Sequence, residues 1–145
     1  MTPADTLSFE LDPRLAGDTH PVAELPLCRL LLMDDARYPW LILVPRRPGL
    51  RELGDLERAA RYNLLDEVDL AAQLLEHITR PDKLNIAALG NVVDQLHVHI
   101  VARRTDDAAW PRPVWGVGER EPYPQAAAAQ FCARLRAALE AVAGS

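Results

Sequence analysis

Cysteine is scarce in this chain, whose 145 residues include only Cys28 and Cys132. Two cysteines cannot form the disulfide framework that stabilises many small secreted domains. Cys28 also lies within an apolar run, where a reduced thiol behaves as a small hydrophobic side chain. We therefore expect both thiols to have a structural role.

Positive charge is also in short supply. Lysine and arginine total 16 against 21 aspartates and glutamates, which gives a formal net charge of -5. A protein that binds nucleic acid neutralises phosphates with an excess of such cations. The composition therefore argues against a dedicated DNA-binding protein, and we expect no nucleic acid among the partners.

The sequence has no long hydrophobic run. Its most apolar stretches, residues 30–33 and 40–44, are far shorter than the roughly 20 residues that cross a bilayer. The first residues lack the basic and apolar regions of a secretory signal. The sequence thus predicts a cytoplasmic protein with no membrane partner.

Apolar residues make up 49% of the chain and charged residues 26%. This composition is typical of a globular protein that buries a real core. No repeat, low-complexity linker or shift in composition divides the chain. Because compact domains usually have about 100 to 200 residues, we expect a single domain over residues 1–145.

Two pairs of apolar segments predict strands. Residues 27–33 and 40–45 are separated by a short polar turn, which is typical of an antiparallel hairpin at the centre of a sheet. Residues 83–89 and 93–102 are joined through Gly90-Asn91, where a positive φ is easily adopted. We expect these segments to form a second hairpin.

The segment between the hairpins predicts a long helix. Asp55 is a candidate cap, and Arg80-Pro81-Asp82 should end the helix because proline cannot continue the hydrogen-bond ladder. Three-and-four spacing marks one apolar face. That face comprises Leu56, Ala59, Tyr62, Leu65, Val68, Ala72, Leu75 and Ile78.

The remaining segments are rich in proline. Residues 8–26 contain enough helix breakers to permit only short helical turns and loops, and residues 106–123 favour an ordered irregular loop. Pro124 then opens a final helix over about residues 124–143. Its predicted apolar face consists of Phe131, Leu135, Ala138 and Val142. The sum is an α+β fold with an antiparallel sheet, one long helix and one C-terminal helix.

A row of alternating side chains contains the candidate chemistry. Side chains alternate between the two faces of a strand, so Gln95, His97 and His99 should share one side. Leu96, Val98 and Ile100 should occupy the other. If the apolar side packs on a helix, the polar side must face water, a ligand or a subunit partner.

Three interpretations of this row remain open. The polar side can be a solvated strand face, or His97 and His99 can be ligands of a metal ion. A metal needs a third ligand, and neither His20 nor His77 lies in a ligand-like cluster. In the third interpretation, one imidazole is a nucleophile and its neighbours bind the charge that develops.

Residues 90–101 resemble the signature strand of the histidine triad superfamily, in which three histidines alternate with apolar residues after a glycine. Other features also follow in the order of that superfamily: the first hairpin, the long helix, the strand containing Asn85, and Trp110-Pro111. The resemblance covers about residues 27–116. It implies a fold of the histidine triad (HIT) type and a homodimer whose sheet continues across the interface.

The resemblance also implies an activity. The chain would be a nucleotide hydrolase or nucleotidyl transferase acting on dinucleoside polyphosphates or related nucleoside phosphate derivatives, without a cofactor. His97 would attack the α-phosphorus and form a covalent nucleotidyl-histidine. The backbone carbonyl of Gln95 would fix the tautomer of His97, and His99 would be a protonatable group that binds phosphate oxygens.

Two positions depart from the family pattern. Gln95 occupies the first triad position, where it keeps a donor amide near the phosphate but cannot become cationic. Val92 stands where many members carry a hydroxyl. These departures leave open a nucleotide-binding regulatory module with weak or lost catalysis. A second alternative is a metal-dependent enzyme that uses the His-x-His pair.

The family pattern also suggests three substrate-binding residues. Asp34 resembles the ribose-binding position, while Asn85 and Asn91 stand where the family places amides around the phosphates. For each of them, an ordinary turn or strand-edge role is the alternative. The nucleoside is expected between the first hairpin and the long helix.

Overall fold

The computed structural model describes residues 9–143, which form an antiparallel five-stranded sheet with helices, confirming the α+β class. The spatial order of the strands is β1-β2-β3-β5-β4. The strands are β1 (Thr19–Glu24), β2 (Cys28–Met33), β3 (Trp40–Pro45), β4 (Lys83–Ala87) and β5 (Val98–Arg103). The helices are α1 (Pro13–Asp18), α2 (Arg58–Thr79) and α3 (Gln125–Ala143).

Both predicted hairpins are present, but the second is shorter than expected. β2 pairs with β3, and β4 pairs with β5 so that Ala87 lies opposite His99. β5 begins only at Val98, since the preceding backbone leaves the sheet and the Leu96 N–H donates to the Leu50 carbonyl at 2.9 Å. Residues 88–97 are therefore a loop rather than part of a strand.

The early segment contains a strand that the sequence analysis did not predict. β1 covers part of residues 8–26, where only turns and loops were expected, and it pairs with β2 at the edge of the sheet. An edge strand tolerates Pro21 because one side of its backbone needs no hydrogen-bond partner. The register shifts between Pro21 and Ala23. The prolines make the sequence look like a loop, but they do not prevent the strand from forming.

Helix α2 begins three residues later than its predicted cap. Asp55 closes a 3-10 turn, and its carboxylate accepts the backbone N–H groups of Arg51 and Glu52 at 3.0 and 2.9 Å. The helix ends at Thr79 as predicted, and Arg80 takes a left-handed conformation with φ 47°.

The predicted apolar face of α2 is right only in its second half. Val68, Ala72 and Leu75 are buried, whereas Tyr62 and Leu65 are 54% and 63% exposed. The first turns instead bury Ala60, Leu64 and Glu67. Glu67 is buried because its carboxylate accepts two backbone N–H groups from the chain entering β2, at 2.9 and 2.8 Å.

Two apolar cores lie on opposite faces of the sheet. Helices α2 and α3 cover one face, where Leu96, Val98 and Ile100 are buried in a common core. On the other face, Trp40 and Ile42 belong to a second core that includes residues from α1 and from the loop after β5. Since His97 and His99 alternate with the first set, they lie on the face away from the long helices.

Helix α3 follows Pro124 as predicted and packs mainly through the middle of its expected face. Leu135 is fully buried and Phe131 is partly buried against the helix-side core, whereas Val142 is 39% exposed. Cys28 and Cys132 are both free and buried. In the part of the chain described, no helix has the length and apolar character needed to span a membrane.

The buried carboxylate of Glu67 gives a test of the fold. Replacing Glu67 with Gln exchanges one acceptor oxygen for an NH₂ group, which faces a backbone N–H. We expect Glu67→Gln to lower the free energy of unfolding by about 1 to 3 kcal/mol. Urea denaturation measures this change. Glu76→Gln, at an exposed position of the same helix, is the control, and an equal loss there would contradict the role of Glu67.

Candidate functional site

His97 lies at the end of the loop that enters β5, and its ring is held by the backbone. Its Nδ1 is 2.6 Å from the carbonyl oxygen of Gln95. A carbonyl can only accept, so Nδ1 carries a proton, and in the neutral form of the ring the lone pair is on Nε2. This is the contact that the family resemblance implied. The ring is buried, with 6% of the residue exposed.

His99 has the opposite tautomer. The indole Nε1–H of Trp40 donates to His99 Nδ1 at 3.0 Å. Because an indole nitrogen is only a donor, His99 Nδ1 must be unprotonated and the proton resides on Nε2. Burial, together with the neighbouring His97, lowers the pKa of His99 to about 3. His99 is therefore a neutral donor in the folded protein and not the protonatable group that was expected.

Aromatic rings hold the two imidazoles close together. The ring centroids of His97 and His99 are 4.8 Å apart. The ring centroid of Trp115 is 5.2 Å from that of His99 and 5.8 Å from that of Trp40, and both pairs have edge-to-face geometry. The indoles thus exclude water from one side of His99, which favours its neutral form.

The side-chain amide of Gln95, which was expected near the phosphate, binds the N-terminal segment in this structure. Its Oε1 accepts the backbone N–H of Asp12 at 2.9 Å, and its Nε2 donates to the carbonyl of Glu10 at 2.9 Å. Both polar ends of the amide therefore bind the N-terminal segment. Only the backbone of Gln95 serves the histidine.

A cavity of about 320 Å³ lies against the two histidines. Its volume is at the lower end of the range for small-molecule sites. We call it the histidine cavity. Its lining residues come from α1, the strands, the loop before β5 and the loop after β5: Leu15, Asp18, Met33, Ile42, Leu89, Gly90, Asn91, Val92, Val93, His97, His99 and Trp115.

The histidine cavity lies on the face of the sheet away from helix α2. A nucleoside was expected between the first hairpin and the long helix, but the histidine cavity lies on the opposite face of the sheet. The reason is the alternation of β3, where Ile42 faces the cavity and its neighbours Leu41 and Leu43 belong to the helix-side core. Helix α1 contributes Leu15 and Asp18 to the lining.

A second cavity adjoins the first at His97. It has a volume of about 260 Å³, and its lining includes His97, Gln95 and Arg51. Arg51 is 69% exposed and lies 3.3 Å from the carboxylate of Asp94. His97 thus lies between two open spaces, one mainly apolar and one mixed.

The structure brings only one of the three expected substrate-binding residues to the histidine cavity. Asn91 lines it, beside the 79% exposed Val92. The carboxylate of Asp34 instead accepts from His20 Nε2 at 2.9 Å and from the Tyr123 backbone N–H at 3.0 Å. These contacts lower the pKa of Asp34 against the opposing effect of its burial.

Asn85 is also held by structural contacts. Its Oδ1 accepts from Arg103 at 2.8 Å. Arg103, which is 1% exposed, also donates twice to Asp107 at 2.7 and 3.0 Å. Its guanidinium lies over the ring of Tyr38. This network fixes the start of the loop after β5, so Asn85 stabilises the wall of the site rather than lining it.

The metal-site interpretation lacks a third ligand. Within residues 9–143, no group of three or more histidine, cysteine, aspartate or glutamate side chains is arranged to hold a metal ion. His20 is bonded to Asp34, and His77 lies exposed on α2. Among the described residues, His97 and His99 therefore have no third candidate ligand beside them.

Sequence reasoning missed Trp40 and Leu15 as site residues. The alternation of side chains could have indicated Trp40. Ile42 lies opposite His99 in the paired strands, and Trp40, two residues earlier, lies opposite Val101 on the same face. Leu15 gave no such signal. It reaches the site only through α1, within a segment whose prolines predicted loops.

Comparison with known proteins assigns the class. Residues 15–106 match the family model of the HIT domain, which covers more than half of the chain. The chain belongs to the HIT domain family. That family includes nucleotide hydrolases and transferases. A comparison with curated proteins found no match.

Solved structures of bacterial histidine triad proteins are similar in sequence and fold. One from Bradyrhizobium japonicum has 50% identity and a TM-score of 0.86, and the match covers 89% of this chain and 96% of the other. One from Sinorhizobium meliloti has 46% identity and a TM-score of 0.88, with 90% and 96% covered. One from Marinobacter aquaeolei has 44% identity and a TM-score of 0.88, with 91% and 96% covered.

The neutral state of His99 predicts a pH dependence of stability. The unfolded chain binds a proton on this residue below about pH 6.5, whereas the folded chain does so only below about pH 3. Stability therefore falls as the pH falls between these values. We expect His99 to account for a loss of about 2 kcal/mol between pH 7 and pH 5.

Urea denaturation across this pH range measures the loss. His99→Gln should flatten the slope, because the titrating group is gone. His77→Gln removes an exposed histidine and should keep the slope of the unmodified protein. Equal slopes in all three proteins would show that His99 is not held neutral.

Proposed function

We propose that this protein is a nucleotide hydrolase or nucleotidyl transferase that acts on dinucleoside polyphosphates or other nucleoside phosphate derivatives through a covalent nucleotidyl-His97. One observation carries the proposal: the 2.6 Å contact between His97 Nδ1 and the Gln95 carbonyl oxygen. In the neutral imidazole this contact directs the lone pair to Nε2, and that tautomer is the form that can attack phosphorus.

The proposed reaction has two displacements at the α-phosphorus. First, His97 Nε2 forms a bond to phosphorus, and the bond to the bridging oxygen or nitrogen breaks with its electron pair leaving on the departing group. Water or another acceptor then attacks the same phosphorus, and the phosphorus–Nε2 bond breaks. Dividing the transfer in this way replaces one difficult step with two easier ones.

His99 supports this chemistry as a hydrogen-bond donor. Its Nε2 carries the proton, because Nδ1 accepts from Trp40. A fixed neutral donor in a cavity that excludes water stabilises negative charge on a phosphate oxygen without having to be reoriented. The apolar side chains of Leu15, Met33 and Ile42 offer a surface for the nucleoside.

A nucleotide-binding regulatory module is the second candidate function. One observation favours it: among the described residues that line the histidine cavity, none is lysine or arginine. The site therefore has few groups to stabilise the charge of a transition state. Tight binding of AMP without turnover of any adenylated substrate would support this candidate over the enzyme.

The enzyme proposal is tested at His97. We expect His97→Ala to lower turnover of a diadenosine polyphosphate at least about 1000-fold while AMP still binds, because the attacking atom is lost and the walls of the cavity remain. Mass spectrometry of the intact protein should detect a nucleotide adduct in the unmodified protein only. His77→Ala is the control, and unchanged turnover in His97→Ala contradicts the mechanism.

We further propose that the protein forms a homodimer through β4 and α2, and that it acts in the cytoplasm, where its two free thiols stay reduced. β4 is the edge strand next to β5, so one side of its backbone is open to another strand. Leu53, Leu65 and Ile86, 49%, 63% and 51% exposed, lie around an apolar groove beside it. Such a surface favours a second copy of the chain.

The dimer is tested by a charge in the groove. We expect Ile86→Asp to change the mass in sedimentation equilibrium from twice 16.1 kDa to that of the monomer, because burying an unpaired carboxylate at an interface is strongly unfavourable. Ala133→Asp, exposed on α3, should leave the dimer intact. A monomeric unmodified protein, or a dimeric Ile86→Asp variant, contradicts the proposal.

A further inference from the structure

Gln95 joins the nucleophile to the N-terminal segment. Its backbone carbonyl accepts from His97 Nδ1 at 2.6 Å. Its side-chain amide makes two further bonds, one accepted from the Asp12 N–H and one donated to the Glu10 carbonyl, each of 2.9 Å. One residue therefore contacts both the imidazole proposed to attack phosphorus and a segment 83 residues earlier in the chain.

The segment held in this way continues directly into a wall of the histidine cavity. Asp12 caps α1, which supplies Leu15 and Asp18 to the lining. The same segment has a second anchor, since Arg14 donates to the carbonyl of Val92 at 2.9 Å. Both anchors join residues 10–14 to the loop that carries His97. The position of α1 relative to the imidazole thus depends on these bonds.

The chemistry of a primary amide suits this task. Its oxygen and nitrogen project from one carbon atom, so Gln95 can accept an N–H and donate to a C=O on the same extended backbone, as a neighbouring strand does. The two nitrogens of an imidazole point to opposite sides of the ring. A histidine at position 95 could not make both bonds to Glu10 and Asp12.

We propose that Gln95 is a positioning residue that fixes the α1 wall of the histidine cavity. Its side chain makes no contact with substrate phosphate. This proposal rests on the function proposed above and refines it. In this proposal, glutamine at position 95 is not a less effective replacement for a triad histidine. Its side chain fixes the wall of the cavity on the nucleoside side, and its backbone carbonyl fixes the ring of His97.

The first test separates substrate binding from chemistry. With a diadenosine polyphosphate as substrate, we expect Gln95→Ala to raise KM about tenfold and to change kcat less than about threefold. The α1 wall is released in this variant, while the backbone carbonyl still holds His97. Gln73→Ala removes an exposed glutamine on α2 and should change neither value. A lower kcat with an unchanged KM would overturn the proposal.

Hydrogen exchange measured without substrate provides a second readout. The Asp12 amide, which donates to Gln95 Oε1, should exchange at least about tenfold faster in Gln95→Ala. This measurement needs no turnover, so it stands even if the proposed activity fails. Unchanged exchange at Asp12 would overturn the proposal.

Two further variants keep the test decisive if Gln95→Ala does not fold. Arg14→Ala, at an exposed position, releases the same segment from Val92 and should also raise KM and speed exchange over residues 9–18. Gln95→His restores the family residue and should raise KM as Gln95→Ala does. A Gln95→His variant with higher kcat and unchanged KM would show that position 95 acts on the substrate.

Discussion

The hydrogen bond from His97 Nδ1 to the Gln95 carbonyl is the constraint on which the site depends. It decides which nitrogen of the imidazole is free, and only a free nitrogen can bond to phosphorus. Because the acceptor is a backbone atom, the bond does not require a particular side chain at position 95. The sequence can therefore depart from the triad pattern there and still fix the tautomer of His97, with the proton of the neutral ring on Nδ1.

The two histidines have opposite tautomers for a structural reason. His97 donates from Nδ1 to a carbonyl, whereas His99 accepts at Nδ1 from the indole of Trp40. In both rings Nε2 is the nitrogen left for other partners, as a lone pair in His97 and as an N–H in His99. Burial beneath Trp115 and beside His97 keeps His99 neutral. In the proposed reaction, two identical side chains that lie two residues apart thus provide the nucleophile and a donor.

The sequence predicted the elements that follow from regular periodicity. The alternation of residues 95–100 correctly separated Leu96 and Val98 from the two histidines, and it still held where the strand had not yet begun. Prediction from the sequence failed at β1, because Pro21 is typical of a loop and is compatible with a strand only at the edge of a sheet. Whether a strand lies at an edge depends on the whole sheet. Prediction also failed for Gln95, whose side-chain partners are backbone groups about 85 residues away. Such contacts leave no local pattern.

The buried arginine near the site supports its walls, and no lysine or arginine of the described chain lines the histidine cavity. Arg103 is fully buried against Asp107 and Asn85, where it fixes the loop that brings Trp115 onto His99. The lining of the histidine cavity, as far as the described chain forms it, offers neutral donors such as His99 and Asn91. A buried cation next to His97 would raise the cost of protonating it but would also repel any positive charge that develops on the ring during attack. In the proposed reaction, neutral donors held by a charged frame avoid that penalty and can still donate to phosphate oxygens.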